Sequence, residues 1–152
     1  MYARAMMAFL HHLAAFTVVA ALAVEVAMFK PPLTLLQARR LLKTDNIYGA
    51  AAGAVLIIGL LRVWYFEKGP GYYWHDLAFL AKFSAFILAA LISIYPTLIF
   101  LSWSKGLKAG AVPEISAERT RRVRLCLMLE LAAIVVILLC AALMARGVGY
   151  LR

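Results

Sequence analysis

The sequence has few of the residues from which soluble catalytic sites are built. Only 15% of its 152 residues are charged, and 7 acidic residues stand against 16 Lys and Arg. It contains no glycine loop of the kind that cradles phosphates, no CxxC and no HExxH motif. Its serines and acidic residues do not converge with a histidine at one depth. A soluble type of hydrolase is therefore not expected.

Cysteine is also scarce, with only Cys126 and Cys140 in the whole chain. Both lie in the last apolar run, where 14 residues of helix separate them by about 21 Å. Two cysteines at that distance cannot form a disulfide with each other. We interpret both as small apolar residues of the core.

The formal net charge of +9 does not indicate a partner nucleic acid. The basic residues lie between the apolar runs and not along one face, and no zinc-finger, helix-turn-helix or sheet-type RNA motif is present. Such a distribution is typical of a membrane protein whose Lys and Arg fix its orientation. The expected partner is the lipid bilayer.

What the sequence has in abundance is apolar residues. They make up 66% of the chain, with a mean hydropathy of +0.90, whereas soluble domains contain about 45–50%. Four runs each reach the ~20 residues that a bilayer requires, and they must be α-helical because hydrocarbon offers no partners for the backbone. We predict an all-α integral membrane protein. It forms a single transmembrane domain over residues 1–152, an up-down-up-down four-helix bundle with helices at about 4–29, 46–66, 77–103 and 119–145.

The loops add detail to this prediction. The pair Pro31–Pro32 ends the first helix, and residues 33–43 alternate leucine with basic residues, as in a short amphipathic helix at the membrane interface. Asp45 or Asn46 then caps the second helix. The glycines at positions 49 and 53 have the small-xxx-small spacing that allows two helices to approach closely.

Basic residues are concentrated in the first and third loops, which predicts that these loops are cytoplasmic and that both termini face outward. With this topology the ionisable residues of the helices fall into two layers. The outer layer contains His11, His12, Arg62, His75 and Lys82. The inner layer contains Glu25, Glu130, Arg122 and Arg124, with Asp45, Asn46 and Tyr48 at the same level.

His11 is the sharpest candidate for a site, because neutral imidazole is a good ligand of haem iron. It lies 14 residues before Glu25, which places both side chains within about 40° on one helix face. A second axial ligand would be His12, His75, a lysine, Met144 or none. The alternative is a hydrogen-bonded core histidine.

The other ionisable residues also have simpler interpretations. Arg62 and Lys82 lie near enough to the membrane edge to extend their charges to water. Glu25 and Glu130 pair with Arg124 in the structural interpretation and hold helices together. His12 points about 100° away from His11, toward a neighbouring helix or lipid headgroups.

The chain resembles an uncharacterised bacterial family of four-helix predicted membrane proteins over nearly its whole length. The resemblance rests on motifs that occur in order along the chain. They are His11–His12 with Glu25; Asp45 with Tyr48–Gly49; Gly59 and Arg62 before Tyr65–Gly69 and Tyr72–Tyr73; Phe79 and Lys82; Ser93, Tyr95–Thr97 and Trp103; Glu130; and Met144–Gly147 with Gly149. It implies a bacterial cytoplasmic membrane location.

A more distant resemblance is to the copper-resistance-D-like group, which includes the four-helix HemJ-type protoporphyrinogen oxidase. Those proteins are thought to hold haem through a first-helix histidine and to need a third-helix lysine, and His11 and Lys82 stand in similar places. The resemblance implies haem b as cofactor. The chain differs from that group at Val18 and Ala21, where a tryptophan and a glycine are expected, and it keeps only Glu130 of a fourth-helix Asn-Glu-Pro.

Three functions remain open at this point. The first is a haem or redox-cofactor binding protein with His11 as metal ligand, His12 beside it, and Arg62 and Lys82 facing the propionates. The second is a structural or accessory subunit of a larger membrane complex, or a homo-oligomer. The third is a small proton- or ion-coupled carrier that uses Glu25 and Glu130.

Overall fold

The computed structural model describes residues 2–150, which form helices and turns around one core. The long helices are α1 (Tyr2–Met28), α2 (Leu35–Leu61), α4 (Leu77–Ser102) and α6 (Ala117–Ala145). A π-helical turn, Arg62–Phe66, extends α2, and the short helices α3 (Pro70–Trp74) and α5 (Ser104–Lys108) lie on either side of α4. Four helical segments are long and apolar enough to cross a membrane. The prediction of an all-α protein with four spans is confirmed.

The largest difference from the prediction is at the start of α2. Residues 35–45 do not form a separate interfacial helix but are the first turns of α2 itself. The helix begins at a capping box, in which the Thr34 side chain accepts from the Gln37 backbone N–H and the Gln37 side chain accepts from the Thr34 N–H. The prediction that Asp45 or Asn46 caps this helix was therefore wrong. Asp45 lies inside α2 and faces the core.

The four long helices pack as two pairs, α1 with α2 and α4 with α6. Contacts are most extensive between α1 and α2 and between α4 and α6, while α1–α6 and α2–α4 contacts join the pairs. The core lies toward one end of the bundle and contains the fully buried Leu22, Phe29, Leu41, Phe100 and Leu127. The up-down order of the helices across a bilayer, and the side that each end faces, stay predictions.

Large apolar side chains remain exposed along every long helix. On α1, for example, Phe9 is 60% exposed and Phe16 is 72% exposed. An apolar belt of this extent is what a lipid bilayer covers. The exposed Gly49 and the half-buried Gly53 both face open space, since a Cβ atom at either position would meet nothing within 4 Å among the described residues. The predicted close approach at these glycines is not seen.

The end of the described chain folds back onto the start of α4. The Leu77 N–H donates to the Gly149 carbonyl at 2.9 Å, and Asp76 and Tyr150 form an antiparallel bridge. Gly149 has φ of +103°, and an added Cβ would lie 3.2 Å from the Ala78 nitrogen, so glycine suits this close approach. The α4 N-terminus is thereby held against the segment that follows α6.

Candidate functional site

One cavity lies between the start of α1, the end of α2, the start of α4 and the end of α6. Its volume is about 480 Å³, within the ~300–1,000 Å³ range of small-molecule sites. We call it the His11 pocket. Its lining includes His11, His12, Val55, Gly59, Arg62, Glu67, Tyr73, Phe79, Lys82, Phe83, Phe86, Ile137 and Met144. The structure thus brings together four of the five outer-layer residues, and His75 lies outside the lining.

His11 is half-buried at the wall of this pocket. Its Nδ1 atom is buried and has no hydrogen-bond partner within residues 2–150, although the Val55 carbonyl lies beside the ring. The ring packs closely against Gly59, since a Cβ there would stand 3.2 Å from His11 Cε1, a distance at which the imidazole has to shift. His12 is more exposed, bonds the Ala8 carbonyl through Nδ1 at 2.6 Å, and meets the His11 ring edge-on at 6.1 Å.

Two cationic side chains, Arg62 and Lys82, line the pocket and differ in their ion pairing. Arg62 Nη2 pairs with Glu67 Oε1 at 2.6 Å, and the two side chains are 22% and 33% exposed. Lys82 is half-buried, makes no ion pair within residues 2–150, and lies 5.6 Å from the centre of the Phe79 ring. The pocket therefore carries one compensated and one uncompensated positive charge.

Glu67 is a pocket residue that the sequence analysis did not identify. It reaches Arg62 because the segment 62–66 is π-helical, and the Glu67 N–H donates to the Arg62 carbonyl five residues earlier at 2.9 Å. An i, i+5 pair does not face the same side of a regular α-helix, so periodicity alone could not reveal it. Close by, Tyr73 lies outside the spans, and burial, with the neighbouring Glu67, raises the pKa of its hydroxyl.

A second polar group lies about 21 Å farther along α1, which is 14 residues of helix. Three carboxyl side chains from three helices meet here, namely Glu25, Asp45 and Glu130, and we call them the carboxyl cluster. Their residues are 1%, 3% and 1% exposed. The Thr97 hydroxyl donates to Asp45 Oδ1 at 2.8 Å, and the buried Tyr48 hydroxyl faces Glu130.

Arg124 does not belong to this cluster. It is exposed, lines a groove with Pro31, Glu114 and Arg121, and forms no ion pair with Glu25 or Glu130 within residues 2–150. Six residues of α-helix rotate it by about 120° away from Glu130. The predicted pairing is therefore absent, and the carboxyl cluster has no basic partner in the described part of the chain.

No set of three or more His, Cys, Asp or Glu side chains among residues 2–150 is arranged to hold a metal ion. This finding covers the carboxyl cluster, whose geometry does not form a closed ligand shell. A haem site needs only one or two such side chains, with the porphyrin supplying the other ligands.

The fold and its internal polar groups define a multi-pass α-helical membrane protein. The chain matches the model of a family described as predicted membrane protein (DUF2214) over residues 3–149. Because the match extends over nearly the whole chain, the protein belongs to this family. Comparisons with curated proteins and with solved structures found no match. The similarity to the copper-resistance-D-like group stays a prediction.

Proposed function

We propose that the His11 pocket binds a flat, amphipathic anion of the haem b class, with His11 as the iron ligand. The observation that carries this proposal is that one cavity formed by four helices brings together a half-buried imidazole, packed on its Nδ1 side against α2, and Lys82, which has no ion-pair partner within residues 2–150. The proposal concerns binding. It does not extend to porphyrinogen oxidation.

A haem ligand must be held in place with one nitrogen available to the metal. The Nδ1 edge of His11 is buried against Gly59 and the Val55 carbonyl, so Nε2 is the nitrogen that would bind the iron. His12 and Met144 also line the pocket, and either side chain would be the candidate for a second ligand of the iron. When bound, haem would supply one-electron redox chemistry. The chain's own contribution is to bind the ring and to keep water from it.

The walls suit an aromatic macrocycle with acidic substituents. Phe79, Phe83 and Phe86 present one apolar side of the pocket. Lys82 forms no ion pair with a carboxylate of residues 2–150, so a ligand carboxylate would gain an ion pair there. Arg62 is already paired with Glu67, so it would contribute less unless Glu67 moves.

The distribution of basic residues predicts the cellular location and the orientation of the chain. We place the protein in the bacterial cytoplasmic membrane with both termini outside, because the basic residues are concentrated at the opposite end. The His11 pocket would then open toward the outer leaflet. A homo-oligomer or a larger complex is compatible with the exposed apolar belt.

The test is an absorption spectrum of the protein purified in detergent, before and after haem is supplied. We expect a Soret band that is lost in His11→Ala and shifted or weakened in Lys82→Met. His75→Ala is the matched control, since His75 is exposed, lies outside the pocket and bonds only the Gly71 carbonyl, at 2.8 Å.

Two results would reject haem as the ligand. One is the absence of a Soret band after haem is supplied to folded protein. The other is an equal band in wild type, His11→Ala and His75→Ala, which would show adventitious binding. If His11→Ala and Lys82→Met lower thermal stability together and no haem binds, the structural role is supported instead.

A further inference from the structure

We propose that the carboxyl cluster, with Tyr48 and Thr97, is a buried proton-binding site that exchanges protons with solvent. It is a second site, separate from the His11 pocket, and it does not depend on haem binding. Its ligand is the proton.

The first step of the argument is the absence of a counter-charge. The groups that face the cluster are Glu25 from α1, Asp45 and Tyr48 from α2, and Glu130 and Cys126 from α6. From α4 comes Thr97, whose hydroxyl does not titrate. No Lys, Arg or His side chain among the described residues faces these three carboxyl groups.

The second step is burial. Each carboxyl group has one oxygen without a hydrogen-bond partner in the described structure: Glu25 Oε1, Asp45 Oδ2 and Glu130 Oε1. A buried carboxylate with no cation beside it costs far more free energy than a neutral carboxylic acid does. Like charges at adjacent sites add further repulsion. The cluster therefore holds protons in place of a counter-charge.

The third step concerns the surroundings of Glu25 and Tyr48, whatever the number of acids in the cluster. Glu25 is almost fully buried, its Oε1 has no hydrogen-bond partner in the described structure, and its carboxyl group lies near Asp45 and Glu130 from a separate helix. Tyr48, 5% exposed, turns its hydroxyl to Glu130.

The arrangement also suggests how the site is isolated. One helical turn beyond the carboxyl groups, Phe29, Phe100 and Trp103 form an apolar layer, with ring centroids 5.8 Å and 5.0 Å apart. This layer separates the cluster from the basic end of the bundle.

The test is infrared titration of the purified full-length protein in detergent, following the carbonyl stretch of protonated carboxyl groups. We expect this band at neutral pH, a decrease as pH rises, and a shift in D₂O that reports exchange. A triple variant, Glu25→Gln, Asp45→Asn and Glu130→Gln, should lose the band. Glu114→Gln is the matched control, since Glu114 is exposed and forms no ion pair within residues 2–150, and it should retain the band.

Several results would overturn the proposal. The absence of the band in folded wild-type protein would show that the acids are ionised. A band that neither titrates nor shifts in D₂O while the protein stays folded would show trapped, purely structural protons. Loss of the band on addition of sodium at constant pH, but not of choline, would show a sodium site instead. None of these outcomes depends on the Soret experiment.

Discussion

Replacing Gly59 by alanine tests whether His11 is held by close packing against α2. Gly53 provides a matched control, because it lies in the same helix, is half-buried and has open space around its Cβ position. At Gly59 an added Cβ would stand 3.2 Å from His11 Cε1. Both substitutions change the helix in the same way, and only one of them displaces the imidazole.

The expected magnitudes come from two opposing effects. Alanine in place of glycine in a helix interior stabilises by about 1 kcal/mol. Inserting a methyl group into a packed contact costs about 1–3 kcal/mol. Gly53→Ala should therefore be neutral or stabilising, while Gly59→Ala should lose up to about 2 kcal/mol. For a chain of this size, 1 kcal/mol corresponds to about 2–4 °C in Tm.

The assay is thermal unfolding in one detergent, followed by intrinsic tryptophan fluorescence for both single variants and for His11→Ala. The double variant His11→Ala, Gly59→Ala completes a mutant cycle. Without the imidazole, alanine at position 59 should behave as alanine at position 53 does. We expect a coupling free energy of at least about 1 kcal/mol between the two positions.

A clear result would refute this reasoning. If Gly59→Ala raises Tm as much as Gly53→Ala does in the presence of His11, the ring is not confined by α2. The imidazole would then be free to turn, and a fixed ligand geometry in the His11 pocket would lose its support.

Three further substitutions probe individual hydrogen bonds, each by thermal unfolding. Asp76→Ala removes the carboxylate that accepts from the backbone N–H groups of Ala78 and Phe79 at 2.9 and 3.1 Å. It should lower the free energy of unfolding by about 1–2 kcal/mol, and an unchanged Tm would show that the cap is dispensable. Thr97→Val leaves a buried carboxyl without its donor and should cost about 1–3 kcal/mol, whereas a stabilised variant would mean that the bond is not made. Ser116→Ala removes the α6 cap and should cost about 1 kcal/mol or less; a larger loss would indicate an additional role for this hydroxyl.

Hydropathy predicted the four spans because the length of an apolar helix is set by the bilayer. At the start of α2 the charges of Arg39, Arg40 and Lys43 indicated a separate surface helix, and this prediction was wrong. The segment Thr34–Gln37 has the capping-box pattern, a readable signal that α2 begins there.

Helical depth predicts that His11, Arg62 and Lys82 lie at one level and that Asp45 lies at the level of Glu25 and Glu130. Depth alone could not show that Asp45 faces the core, because a helix cap and a residue of a buried cluster look alike in sequence. The hydrogen bond from Thr97, 52 residues away, decides between them. Tertiary contacts of this kind leave no periodic pattern.

The π-helical turn at residues 62–66 can be viewed as a one-residue insertion in an otherwise regular helix. Without this turn, a regular α-helix would place Arg62 and Glu67 about 140° apart around the axis, and the guanidinium would become available to a bound anion. Deleting one residue between them would restore the 3.6-residue repeat and give a spacing of four residues, at which the ion pair would be kept. The position of one extra residue thus decides whether the guanidinium in the pocket is neutralised.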